Sequence, residues 1–457
     1  MTAGKTIERI AAPIRANALL GALMAALSLY VWRVQDLFPV LATIKLLPIV
    51  SIAVPVLILL DRRAQRQLAF VIKRPLARLL LLIAVMGALS VPTSLWPGMS
   101  FDFLTKNLLP AIVLSLAVMG AISSVIDVRR FVWIQVVGAT IYSEVILTRF
   151  DIGPNGRLGN LVFYDANDLG MLLVCTVPFI VFLLRHTRSA ILRALVLGSL
   201  VLCLLTIVKT GSRGAFLALV AVSLYLLFRF STVNVSTRVI TVGVVAAALI
   251  AGAGDSYWKA MGTLLKPTED YNWVGGESGG RMEVWSRGIG YMTSRPLTGV
   301  GLGAFPMAEG TISPLAAKQS YGRGIKWSAA HNSFVQIGAE LGVPGLLLFG
   351  SILWMTFRMA GRLARDARAR APAEPSTAGL ASAHAAAVVG FAVGGFFLSQ
   401  AYAPYLYFVV GSVVGLDTVV RIRWRMTPPN IGAMAQARPM PRRARGVTRA
   451  VAMQRAR

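Results

Sequence analysis

The chain has 457 residues, of which 56% are hydrophobic and only 14% charged, well below the roughly 25% usual for a soluble domain. That balance excludes a disordered, collagen-like or coiled-coil chain. A net charge of +27, from 46 Lys+Arg against 19 Asp+Glu, admits a nucleic-acid binder or an integral membrane protein, and the placement of the charges decides between them.

Runs of about 17–25 apolar residues are long enough to cross a bilayer as helices, and a helix satisfies its own backbone in hydrocarbon. Twelve such runs are predicted, at 11–32, 37–60, 76–95, 106–126, 131–148, 168–184, 190–208, 214–230, 238–254, 331–357, 378–398 and 402–420. The expected fold class is an all-α polytopic membrane protein. With the N-terminus inside, the inner segments are 1–15, 61–78, 127–130, 185–193, 229–238, 358–377 and 421–457. They hold 31 of the Lys and Arg, against 14 in the outer segments. This is the positive-inside pattern, and it accounts for the charge without nucleic acid. Both termini are therefore expected in the cytoplasm. Lys5, Arg9 and Arg15 precede an apolar run too long for a signal-peptide core, so no cleaved leader is expected. Cys175 and Cys203 fall inside spans six and seven, which predicts no disulfide.

The expected organisation is spans one to nine over 1–253, a large outer loop over 254–330, spans ten to twelve over 331–420, and a basic, unstructured cytoplasmic tail over 421–457. The loop is too long and too patterned for a mere connector. It carries nine aromatics, among them Trp258, Trp273, Trp285 and Trp327, and glycine clusters at Gly275-Gly276, Gly279-Gly280 and Gly299-Val300-Gly301-Leu302-Gly303. From Arg281 to Ser294, Met282, Trp285, Ile289 and Met292 recur at helical spacing before Pro296. Such a helix lies on the membrane surface, forms a lid over a site at the outer leaflet, or does both. The tail carries ten Arg and no acid, as befits a segment attracted to anionic lipid.

Polar groups in expensive places reveal function in spanning proteins. In Lys209-Thr210-Gly211-Ser212-Arg213-Gly214, two glycines flank Arg213 at a helix start, where free N–H groups and the dipole favour an anion. A guanidinium grips phosphate oxygens bidentately; the plainer alternative is a tight turn with a snorkelling Arg. Ser278-Gly279-Gly280-Arg281 repeats the arrangement on the same side, and two such Arg suit a diphosphate. His331, in Ala330-His331-Asn332-Ser333, is the only one of three His on the outer side. It is a general-base candidate or a polar helix start capped by Asn332 or Ser333. Asp165 and Asp168 either orient an acceptor or cap span six. Glu340, inside span ten, is expected to hold an Arg or a backbone group. No metal-ligand spacing appears, and Gly299 to Gly303 lacks the βαβ unit of a dinucleotide site.

Gly211-Ser212-Arg213-Gly214, Gly279-Gly280-Arg281 with Trp285, Pro296 to Gly303, and His331-Asn332 through Glu340-Leu341-Gly342 together resemble the O-antigen ligase and polymerase superfamily, best over about 205–350. The resemblance implies a bacterial inner-membrane glycosyltransferase with its active site at the periplasmic face. Its donor would be a glycan on undecaprenyl diphosphate, its acceptor a hydroxyl of lipid A-core type, with no metal or cofactor. By motif match, Arg213 and Arg281 hold the diphosphate and His331 is the essential histidine; Lys209 and Asp168 are further substrate-binding candidates. Rival readings are a polymerase extending a carrier-linked glycan, protein O-glycosylation and, from another class, a transporter of lipid-linked glycan.

Overall fold

The computed structural model describes residues 18–150, 153, 158–159, 164–229, 234–266, 280–316, 328–370 and 375–426. The basic tail beyond 426 lies outside these residues, as do Trp273, Trp327, Gly275, Gly276 and Gly279. Residues 1–419 form one unit; of the second, 420–457, the described part is the last turns of the final helix.

The described residues are helical, with no strand among them, and the chain is a polytopic α-helical membrane protein. Among the described residues, seven helices are long and apolar enough to cross a bilayer: Pro97–Ala121, Val125–Arg149, Ala166–His186, Ala190–Thr210, Ser333–Ala369, Ser376–Gly395 and Pro404–Met426. Shorter helices at Ala18–Tyr30, Leu46–Leu60, Pro75–Ser90, Arg213–Arg229 and Val235–Gly252 fall on the other predicted spans. Several boundaries have a local cause. Ser124 and Asp127 form a capping box at the start of Val125–Arg149, satisfying two orphan N–H groups reciprocally. Asp165 accepts from the N–H groups of Asn167 and Asp168, both at 2.7 Å, so Asp165 is the cap of the next helix. Gly211 closes Ala190–Thr210 in the left-handed region at φ +59°, where a Cβ is penalised.

Lipid tails are as apolar as Leu, so these helices associate by close packing rather than by hydrophobic burial. Gly411 and Gly415 show how. A Cβ on Gly411 would stand 2.6 Å from the Ser115 carbonyl oxygen, and one on Gly415 would stand 2.6 Å from Ile122. Cys175 and Cys203 are buried and free, as predicted.

Two helices add detail to the spans read from the sequence. The helix at the tenth span, Ser333–Ala369, is broken at Gly342 (φ +69°, ψ −170°). A continuous helix would separate Phe334 from Phe349 by roughly 22 Å, yet their rings lie 5.4 Å apart; residues 333–341 fold back beside the rest. The eleventh span ends at Gly395 rather than at 398, which frees Phe396 to Ala403 as a connector.

The two ends of the helices differ in chemistry. At one end the Arg129 guanidinium donates to the His186 carbonyl at 3.0 Å, Arg185 to Asn234 Oδ1 at 2.9 Å and Arg193 to the Thr187 carbonyl at 2.9 Å. At the other lie the turns at Gly211, Asn332 and Gly395.

Candidate active site

The glycine-rich run at 299–303 builds the floor of the site. Gly299, Gly301 and Gly303 all have positive φ, so the chain coils tightly enough for the Val300 and Gly301 N–H groups to reach the Ala339 and Glu340 carbonyls at 2.8 and 3.1 Å. The Val343 N–H, just past the break at Gly342, donates to the Pro296 carbonyl at 2.8 Å. Inside this knot the buried Glu340 carboxylate accepts from the Phe305 N–H at 3.3 Å. Glu340 thus holds a backbone group, one of the two partners expected of it, and the run is a structural coil with no dinucleotide architecture.

Helix Arg281–Ser294 packs over this floor through Val284, Trp285, Gly288 and Tyr291. Of the stripe read from the sequence, Trp285 is buried while Met282 and Ile289 are each 49% exposed; Gly288 lets Val335 and Phe305 approach within a Cβ's width. Arg287 clamps the helix to the Phe305–Thr311 helix through Glu309, with Nη2 to Oε2 at 2.6 Å and Nε to Oε1 at 3.0 Å. The Tyr291 hydroxyl donates to Glu309 Oε1 at 2.7 Å. Burial, then this carboxylate, push the Tyr291 phenol well above its ordinary value, while the Glu309 hydrogen bond raises the Arg287 guanidinium.

The three motif residues sit at helix starts. Arg213 opens Arg213–Arg229, capped by Ser212, whose Oγ accepts from the Ala215 N–H at 3.2 Å. The Arg213 Nη1 donates to Thr263 Oγ1 at 2.7 Å, and Thr263 in turn donates to the Ala260 carbonyl at 2.8 Å. Tyr257 and Met261 pack this loop segment against Val208 and Phe216. Arg281 opens its helix directly behind Gly280, at the positive end of the helix dipole. His331 is held in the left-handed region at φ +46°, rare for a side chain of this kind. Asn332 caps the following helix through the Phe334 and Val335 N–H groups at 2.9 and 3.1 Å. The capping reading thus holds for Asn332, and His331 is left as the residue just before the cap.

One connector gathers these starts. Phe397 packs against Gly214. The ring of Phe396 stands edge-on to Phe397 at 5.3 Å and to Trp285 at 5.2 Å. Trp285 donates to the Ala330 carbonyl at 2.9 Å, and Arg281 lies one turn before it on the same helix face. The His331 N–H donates to Ser399 Oγ at 2.8 Å. Ser333 donates to the Leu398 carbonyl at 2.7 Å and accepts from the Gln400 N–H at 2.9 Å. The Gln400 side chain also lies beside Asp168. Gly170, half a turn further on, faces Thr210, Ser212 and Ala215. Lys209 lies in the last turn before Gly211, its carbonyl accepting from the Leu158 N–H at 3.0 Å.

All five candidates therefore belong to one cluster of helix ends. Sequence reasoning missed Thr263, Phe396, Phe397, Ser399 and Gln400. The signal for the last four was a polar Ser-Gln pair directly after Gly394-Gly395 and two aromatics, where an apolar span was expected to continue. Thr263 left no signal.

Helical and polytopic, the chain is a membrane protein whose candidate residues lie at one end of its helices. Residues 198–350 match the family model for O-antigen ligase, which supports its placement in the O-antigen ligase and polymerase superfamily. Members of that family are glycosyltransferase-like ligases and polymerases, in keeping with an enzymatic activity. No curated protein matches the chain.

Proposed function

We infer that the chain transfers a glycan from undecaprenyl diphosphate to an acceptor hydroxyl of lipid A-core type, at the periplasmic face of a bacterial inner membrane. The reading is carried by one observation: Gly211 to Gly214, the start of the Arg281 helix and His331 converge on the connector 396–400. Three of these four elements lie within the matched region.

Arg213 and Arg281 hold the diphosphate, the first oriented by Thr263 and the second standing at its own helix start, where the dipole favours an anion. The acceptor oxygen attacks the anomeric carbon while its proton passes to the His331 imidazole. The bond from that carbon to the diphosphate oxygen breaks, and the electron pair leaves with the diphosphate. Its growing charge is met by the two guanidiniums. Direct displacement inverts the anomeric centre. Asp168, steadied by Gln400, and Lys209 line the acceptor side.

Purified protein incubated with carrier-linked glycan and two acceptors, a lipid A-core and a second carrier-linked unit, tests this. A single-transfer product on lipid A-core is expected. A ladder on the second carrier would instead make the chain a polymerase, and carrier movement without product a transporter. Arg213→Ala and Arg281→Ala are each expected to lower transfer by about 10²–10³-fold. Intact transfer in either variant would remove that arginine from the mechanism.

A further inference from the structure

The basic end of the bundle holds a second site of a different kind. Helix Ala190–Thr210 spans roughly 30 Å, with Thr210 at the candidate active site and Arg193 at the far end. There the helix ends around 184–200 and 237–244 enclose a cavity of about 230 Å³. Its walls are Leu184, Leu197, Leu200, Ile240 and Val244, and its mouth carries Arg185 and Arg193. Both arginines are aimed by neutral oxygens, Asn234 Oδ1 and the Thr187 carbonyl, each at 2.9 Å. Neither has an acidic partner among the described residues, and the stretches 185–193 and 229–238 contain no Asp or Glu. Two uncompensated guanidiniums thus stand over an apolar slot.

The slot opens sideways. Its own walls reach the outer surface of the helices, with Leu197 44% exposed and Ile240 63%, where hydrocarbon meets them. A ligand that fits needs a phosphate-level anion and an attached apolar chain. A soluble anion would leave the walls unfilled, and a zwitterionic lipid would bring its own cation against the arginines.

We propose that Arg185 and Arg193 bind the phosphodiester of an anionic phospholipid whose acyl chain enters the slot between Leu197, Leu200 and Ile240. The site is separate from the candidate active site and does not depend on the reaction carried out there. The bound lipid supplies the negative charge that the stretches 185–193 and 229–238 lack, and it joins helices Ala166–His186, Ala190–Thr210 and Val235–Gly252.

Native mass spectrometry of the full chain, released from nanodiscs of equal phosphatidylglycerol and phosphatidylcholine, tests the proposal. The wild type is expected to retain phosphatidylglycerol preferentially. Arg185→Gln with Arg193→Gln is expected to reduce that preference on the order of tenfold, from the attraction of two basic residues at a membrane surface. Leu197→Trp keeps both charges and fills the slot; it is expected to lose retained lipid as well. Thermal unfolding in each lipid provides a readout if a variant is hard to purify, with phosphatidylglycerol raising Tm for the wild type only. Equal retention of the two lipids by the wild type, or unchanged retention in the double variant, would overturn the proposal. Loss in the double variant but none in Leu197→Trp would reduce it to surface charge attraction.

Discussion

At the scale of single residues, two contacts fix the candidate site most directly. Ser399 accepts the backbone N–H of a histidine held at φ +46°, a conformation that costs about 1–3 kcal/mol unless its surroundings enforce it. Ser399→Ala removes one enforcer and is expected to cost about 1 kcal/mol of stability. It should also lower glycan transfer, whereas Ser399→Thr, which keeps the hydroxyl, should restore it. Unchanged turnover in the alanine variant would show that His331 needs no such anchor. The Tyr291 phenol donates to Glu309 only while protonated, and its folded value is raised above the ordinary 10.0. A raised acid contributes stability that is fully present below the unfolded value and is lost as pH rises towards the folded one. Unfolding followed by intrinsic fluorescence should therefore be flat in this term up to about pH 10 and should weaken above it. Tyr291→Phe should be less stable at neutral pH and should lack that alkaline loss.

At the scale of elements, the break at Gly342 decides where the site sits. A Cβ there would stand 2.4 Å from the Pro296 carbonyl oxygen, at φ +69°. Gly342→Ala is expected to destabilise the protein by at least about 2 kcal/mol, seen as a lowered Tm in detergent, and to impair transfer through the displaced His331. The helices were legible because apolar runs and caps are local. Asp165 and Gly211 announce boundaries that the backbone then obeys. The break was not legible: Gly342-Val343-Pro344-Gly345 reads equally as a kink or a tolerated interruption, and only the docking of Pro296 selects a reversal. The protein-facing residues of the loop helix were no more legible: Gly288 admits Val335 and Phe305, which sets Val284 and Tyr291 on the packed face beside Trp285.

At the scale of the whole molecule, the basic connectors and the candidate site occupy opposite ends of the same helices. The positive-inside pattern then predicts the orientation. Cys175 and Cys203 are buried, so the unmodified chain should be silent to a membrane-impermeant maleimide. A cysteine at Leu297, 71% exposed, should label in intact spheroplasts. One at Arg188 should label only after permeabilisation, and the reverse result would invert the topology. Arg213, Arg281 and His331 were legible as a set because each stands at a helix start beside small or capping residues. Ser399 was not, since nothing local ties a serine after the eleventh span to a histidine before the tenth.

That last contact bears on how the protein can be divided. The stretch matching the family model ends at residue 350, while the acceptor for the His331 N–H and the aromatic wedge against Gly214 come from 396–400. The matched stretch is therefore not a transplantable module. A chimera that exchanged 198–350 alone would join one protein's arginines and histidine to another's clasp. Exchanges that carry the connector along should be the ones that remain active.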